Sequence, residues 1–445
     1  MFLVIMFDKI IGRWQSVSKD NRELLLQSCL AFSIRIVGAL AGFIFTVVLA
    51  RVLGIENSGY YFLGLTVISI LAAVARFGLD QTVLRYTGTA FSDHNWLQIR
   101  DVLKKASVLA SVGSLFLSVL LWVLAEWLAE SIFQKPAMKS VLQNMAPGIF
   151  GLALFTLVSM SLQGTRRVLS SVFTVNIAAN IVMIVTLLWL GTSTANVAAQ
   201  IYSVACFLAF AVGLALWWNG SGNDGGSESG FVAWRDIFVS CIPLWVAMLM
   251  GQLAQWSGHF IAGAWVDATN LAQLAVAQRT AMLASFVLIA VNLVVAPRFA
   301  AMYKKGDVGN IEALAINSVR LMFVSALPII GVMLLFPEFL MGLFGDEFIG
   351  GAYLLQIMAL GQLVNVATGS VGFLLTMTGH EKDMRNIMLF SGPFAVFLGL
   401  WLIPVFGATG SAVTTAVVLA SQNFIAVWYV KKRLGFNTLA VWKRA

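Results

Sequence analysis

Twelve apolar stretches, each 19 to 25 residues long, follow one another along this chain, and they decide what it can fold into. A bilayer's hydrocarbon core is about 30 Å thick and takes roughly 20 apolar residues to cross as a helix. Backbone groups in lipid must pair internally, so each stretch is expected to be an α-helix. They are Cys29–Ala50, Gly59–Leu79, Ala106–Leu128, Val141–Leu162, Leu169–Leu190, Ala195–Trp218, Ile237–Trp256, Leu274–Ala296, Ser318–Phe336, Ala352–Thr376, Ile387–Phe406 and Ala412–Val430. Composition agrees: 60% of residues are hydrophobic and 11% charged, against about 25% charged in an ordinary soluble domain. The predicted class is an all-α integral membrane protein.

The net charge of +8 does not point to nucleic acid, because of where the charges fall. With a cytoplasmic N-terminus, 21 of the 28 Lys and Arg lie in cytoplasmic segments, three (Arg51, Lys135, Lys139) in external loops and four within spans. That asymmetry places both termini in the cytoplasm. Residues 1–28 read as an interfacial segment and residues 431–445 as a basic tail able to touch anionic lipid. Cys29, Cys206 and Cys241 lie in or beside apolar spans, without the spacing of a disulfide framework or a metal site. No cofactor or metal is expected.

Asn219 to Gly230, reading NGSGNDGGSESG, is the longest polar stretch between spans, and its composition is that of a flexible tether. It divides the chain into an N-lobe (29–218), a linker (219–236) and a C-lobe (237–430), with six spans in each lobe. An even number per lobe makes the lobes parallel repeats. Internal similarity agrees. Leu142-Gln-Asn-Met145 matches Leu355-Gln-Ile-Met358, and Gly164 matches Gly379 as a helix C-terminus.

Two charges, Arg35 and Arg279, fall near the middle of a span, one in each lobe. A guanidinium at that depth costs about 2.5–3.5 kcal/mol on insertion scales and usually faces a protein interior or a watery cavity. Snorkelling remains open for Arg35, and it is the favoured reading for Arg76 and Arg320, which sit close to span ends. Together the four outline a cationic substrate site. Gln252, Gln255 and His259 stack on one helical face, beside Gln278. Asn176, Asn180, Asn292, Gln362, Asn365, Gln422 and Asn423 add amides suited either to sugar hydroxyls or to interhelical hydrogen bonds. No span carries a carboxylate near its middle, and there is no Walker motif or nucleophile–base pair. The chain is expected not to be an enzyme.

A set of short motifs in order along the chain resembles the Wzx-type polysaccharide flippases of the multidrug/oligosaccharidyl-lipid/polysaccharide exporter (MOP) superfamily. They are Arg51-Val-Leu-Gly54 with Gly59-Tyr-Tyr61, Phe77-Gly-Leu-Asp80 with Leu84-Arg-Tyr86, Ala296-Pro-Arg298 with Met302-Tyr-Lys-Lys-Gly-Asp307, Leu343-Phe-Gly-Asp-Glu-Phe348, Leu375-Thr-Met-Thr-Gly379, and Leu402-Ile-Pro-Val-Phe-Gly407. The resemblance implies two six-helix lobes around a central cavity. It also implies alternating-access transfer of an undecaprenyl-pyrophosphate-linked glycan from the inner to the outer leaflet of a bacterial cytoplasmic membrane. Membrane lipids, a polysaccharide polymerase and assembly proteins are the partners it suggests. A multidrug or small-solute antiporter of the related MATE branch is the rival reading. That branch often carries an acidic residue in the first helix, where this chain has Arg35. Lipid II flippases usually have fourteen helices, against twelve here.

Overall fold

The computed structural model describes the backbone of residues 19–191, 193–222 and 231–439, with side chains from residue 36 onward. Most of the N-terminal segment, most of the Gly/Ser-rich linker, the end of the tail and the side chain of Arg35 lie outside the described residues. The first helix, Lys19–Ala75, runs through two of the expected spans and is interrupted only at Gly54 (φ 71°, ψ 176°). Its limbs are α1 (19–53) and α2 (55–75). Then follow α3 (Trp96–Trp127), α4 (Met138–Gly164), α5 (Val168–Leu190), α6 (Ala195–Asn219), α7 (Trp234–Trp265), α8 (Ala268–Lys304), α9 (Val308–Leu335) and α10 (Asp346–Thr368). The last helix, Glu381–Leu434, is again broken at a single glycine, Gly407 (φ 56°, ψ −132°), into α11 (381–406) and α12 (408–434).

Both breaks reverse the chain. Phe45 and Tyr61, sixteen residues apart, meet edge to face at 6.4 Å, whereas a straight helix would separate them by about 24 Å. The Cα of Gly410 likewise lies against the Leu402 carbonyl, so a Cβ there would come within 2.5 Å of it. Only glycine adopts these dihedrals readily, which is why no loop is needed. Among the described residues, ten apolar helices, two of them folded back, therefore give the twelve crossings.

Short helices fill the joints. Leu79–Ser92 follows α2 after a left-handed pair at Phe77 and Gly78, and Pro337–Gly342 precedes α10. The expected span Ala352–Thr376 is interrupted: α10 ends at Thr368, and Gly369 (φ 74°) turns the chain before it resumes as Val371–Met377. A side chain at Gly369 would also strike Val319 of α9. The repeat-related glycines differ in what they do. Gly379 (φ 77°) is a left-handed helix end, while Gly164 keeps α4 close to Thr87, whose Cβ would stand 2.7 Å from an added Cβ.

Asp267 and Asp307 cap α8 and α9 in the same way, each accepting from the backbone N–H three residues on and from that asparagine's side chain at 2.6 Å. Helices α1–α6 pack on one another, as do α7–α12. In the N-lobe, Gly151 of α4 lets α6 approach so closely that a Cβ would lie 2.8 Å from that of Cys206. Outward faces carry Val112, Phe116, Val123 and Phe397, all more than 60% exposed, as befits lipid-facing helices.

Candidate functional site

The site is organised by α8. Its sequence Leu274-Ala-Val-Ala-Gln-Arg-Thr-Ala281 surrounds two long polar side chains with small residues, and the helix tightens into a 3₁₀ turn at Met282–Ala284. Gln278 and Arg279 are adjacent, so they point to different sides. Each borders its own chamber.

The chamber on the N-lobe side has a volume of about 540 Å3. Gly38, Ala39, Gly42 and Thr46 of α1 form one wall, adjoined by Asn176 and Asn180 of α5 and Gln163 of α4, with Arg279 lining the chamber from α8. The α1 wall repeats at helical spacing. Gly38 admits α5, since a Cβ there would come 3.1 Å from that of Asn176. Phe173–Ala178 is a wide π turn, and Asn180 donates to the carbonyl of Asn176 at 2.7 Å. The guanidinium of Arg279 lies 4.8 Å from the centre of the Phe62 ring. Among the described residues no carboxylate pairs with it. Its N–H groups therefore stay available to an anion.

The chamber on the C-lobe side has a volume of about 680 Å3 and no charged lining residue. Gln252 and Gln255 of α7, Gln278 of α8, Gln362 and Asn365 of α10 and Gln422 of α12 supply its polar wall, with Met248, Met282, Met358 and Met388 between them. Ser285 donates to Gln362 at 2.8 Å and Asn365 to the same oxygen at 3.1 Å; Asn423 donates to Asn365 at 3.1 Å. Gln278 donates to the carbonyl of Gln255 at 3.3 Å. The Oε1 of Gln252 is buried without a partner. Met282 lines both chambers, so this stretch of α8 is the partition.

Other residues singled out from the sequence lie elsewhere. Arg76 neither snorkels nor borders a chamber: it is buried, and its Nε meets the carboxylate of Asp80 at 2.9 Å. Arg320 sits on α9 beside Asn317, 3.4 Å away, away from both chambers. His259, one turn beyond Gln255, does not line the chamber and is buried with neither ring nitrogen bonded among the described residues. Asn292 is buried on α8, its Oδ1 unpaired. Gln163, Ser285 and the methionines carry no signal in the sequence and enter the chamber walls only through tertiary packing.

At the Gly54 end the lobes are held together. Gly59 of α2 lies so close to the carbonyl of Ala268 that no side chain fits. Arg51 donates to the carbonyl of Leu343 at 2.8 Å, the N–H of Ile55 to Glu347 at 3.3 Å, and Lys135 to the carbonyl of Gly263 at 2.7 Å. Burial pushes the Lys135 ammonium below the usual lysine range, with Asp267 acting in the opposite direction. At the linker end, Trp245 of α7 donates to the carbonyl of Val74 at 3.2 Å and Ser240 approaches Thr82 at 3.3 Å.

The family described as "Polysaccharide biosynthesis protein" matches residues 27–303. The probable low-salt glycan biosynthesis flippase Agl15 of Haloferax volcanii is 22% identical over 418 residues, covering 92% of this chain and 84% of the relative. An inward-facing multidrug resistance MATE family transporter of the MOP superfamily superposes with a TM-score of 0.73 at 13% identity, covering 93% of this chain and 99% of the other. The lipid II flippase MurJ in an inward closed conformation superposes with a TM-score of 0.72 at 13% identity, covering 91% and 87%. The fold is therefore the one these two transporters share.

Proposed function

Because the chain belongs to the polysaccharide biosynthesis protein family, we propose that it is a flippase carrying a polyprenyl-pyrophosphate-linked oligosaccharide across the membrane. The direction is from the inner to the outer leaflet, for assembly of a surface polysaccharide. The observation that carries this reading is Arg279, a guanidinium deep in the membrane-spanning bundle, bordering a chamber and paired with no carboxylate among the described residues. Guanidinium forks match phosphate oxygens in a bidentate way. Arg35, near the middle of the first span, is proposed for the same anion on its position in the sequence alone. The glycan-flippase name of the Haloferax volcanii relative supports the reading.

In this mechanism the pyrophosphate enters beside Arg279, the polyprenyl chain stays in lipid between the lobes, and the lobes rock to exchange access. No bond is made or broken, so no enzymatic step is assigned. The setting proposed is a cytoplasmic membrane with both termini inside. Undecaprenyl pyrophosphate is the proposed carrier, and polymerases or assembly proteins would take the product outside.

Expression in a strain lacking its own oligosaccharide flippase tests the reading. Return of surface polysaccharide with loss of accumulated lipid-linked precursor is the expected result. Failure across several glycan backgrounds, together with export of cationic drugs, would replace it with the antiporter reading.

A further inference from the structure

We infer that the amide-lined chamber of the C-lobe is a seat for neutral sugar residues, separate from the anion site at Arg279. The inference rests on the flippase reading and adds a second subsite to it.

The chemistry of the lining sets the ligand class. Gln252, Gln255, Gln278, Gln362, Asn365 and Gln422 are all carboxamides, and no charged side chain accompanies them. A carboxamide presents both donors and an acceptor, as a sugar hydroxyl does. An anion or cation placed here would lose its hydration without meeting a counter-charge, which is costly in a low-dielectric interior. A neutral polyol meets no such penalty.

The chamber is also unfinished as a packing device. Interhelical amides in a bundle normally satisfy one another, and Ser285, Gln362, Asn365 and Asn423 do so here. Gln252 lines the chamber without joining that network, and its Oε1 is buried with no partner among the described residues. A volume of about 680 Å3 falls within the roughly 300–1,000 Å3 of small-molecule sites. Four methionines between the amides give a wall that adapts its shape, suited to apolar sugar faces of varied outline.

The partition supplies the link to transport. Met282 borders both chambers, and Gln278 and Arg279 are adjacent residues facing one chamber each. In the proposed mode the pyrophosphate lies at Arg279 and the glycan, passing around α8, lies beside Gln278. The two subsites read different parts of one molecule.

Cysteine protection on the full-length chain in nanodiscs separates the possibilities. In a Cys29→Ala, Cys206→Ala, Cys241→Ala background, Gln422→Cys reports the amide chamber and Asn176→Cys the arginine chamber. The probes are the lipid-linked precursor from a glycan-producing strain that the chain rescues, the neutral glycan released from it by mild acid, and inorganic pyrophosphate. Free glycan at about ten times its Kd is expected to slow maleimide labelling at 422 roughly tenfold and to leave 176 unchanged. Pyrophosphate is expected to do the reverse, and Gln252→Leu with Gln362→Leu to abolish only the glycan effect. Protection of 176 by precursor with none at 422 would overturn the inference and leave the flippase reading standing. Protection of 422 by pyrophosphate would overturn it as well, by making the chamber an anion site. No protection at either position by any probe would overturn the inference and the anion site at Arg279 together, while the rescue itself keeps the flippase reading.

Discussion

A guanidinium inside a membrane-spanning bundle persists only if something offsets its desolvation. Around Arg279 that something is the ring of Phe62, 4.8 Å from Cζ, rather than a carboxylate. Replacing Phe62 by Leu removes the quadrupole together with some buried volume, so thermal unfolding in detergent should show a loss of at least about 0.5–2 kcal/mol; no loss would detach Arg279 from that ring. At the linker end, Arg433 donates two hydrogen bonds to Asp383, at 2.7 and 3.0 Å, and holds its carboxyl below the usual carboxylate range. A depressed folded-state pKa stabilises above the unfolded value, about 3.9 for Asp, and the gain is lost as pH falls through the folded value. Asp383→Asn should therefore lower Tm at neutral pH, with the difference from wild type starting to shrink below about pH 4 and vanishing only below the depressed folded value. An acid-independent difference would contradict this. The depth of Arg279 was legible from the sequence, because a lone charge between apolar turns has few other places to go. Phe62 and the Arg76–Asp80 pair were not. The first joins residues on different helices, and the second depends on the left-handed break at Phe77 and Gly78.

Among the elements, hydropathy located every crossing but misjudged how they join. The spans read from the sequence leave gaps at 51–58 and 407–411; single glycines in dihedrals closed to other residues make both reversals. Nothing lies within 4 Å of a Cβ added at Gly54, so Gly54→Ala tests the backbone alone. It should cost about 1–3 kcal/mol, read as a lower Tm or folded yield. A neutral result would mean that α1 and α2 turn by another route. The break of α10 at Gly369 was equally hidden, since the apolar run continues through it to Thr376. Amide spacing on α7 was informative for Gln252 and Gln255, which share a chamber, but could not show that His259, farther along the helix, is buried in packing beyond it.

At the scale of the whole molecule, the even division of spans around the Gly/Ser-rich stretch and the bias of positive charge were visible in the sequence. The two chambers were not, because they depend on which side of α8 each long side chain takes. The contacts of Arg51 with Leu343, Ile55 with Glu347 and Lys135 with Gly263 hold the lobes together at the Gly54 end. A net hydrogen bond is worth about 1 kcal/mol, or roughly fivefold in an equilibrium. Arg51→Ala with Lys135→Ala should therefore raise the population open at that end more than tenfold, read by electron-spin distances between labels on α2 and α8. An unchanged distance distribution would show that these contacts do not hold the lobes closed. Outward movement of an anion is favoured by an inside-negative potential, by about 2.3 kcal/mol per charge per 100 mV, so imposed voltage should change the flipping rate.

The central claim is that Arg279 holds the phosphate of the lipid-linked substrate, and flipping in proteoliposomes tests it most directly. Wild type, Arg279→Lys and Arg279→Ala are compared at equal reconstitution for transfer of lipid-linked oligosaccharide between leaflets. Loss of a charge-assisted contact worth about 1.5–3 kcal/mol corresponds to roughly 10- to 100-fold. The predicted order is wild type fastest, Arg279→Lys intermediate with its point charge retained, and Arg279→Ala slower by that factor. Equal rates for wild type and Arg279→Ala would contradict the account at its centre.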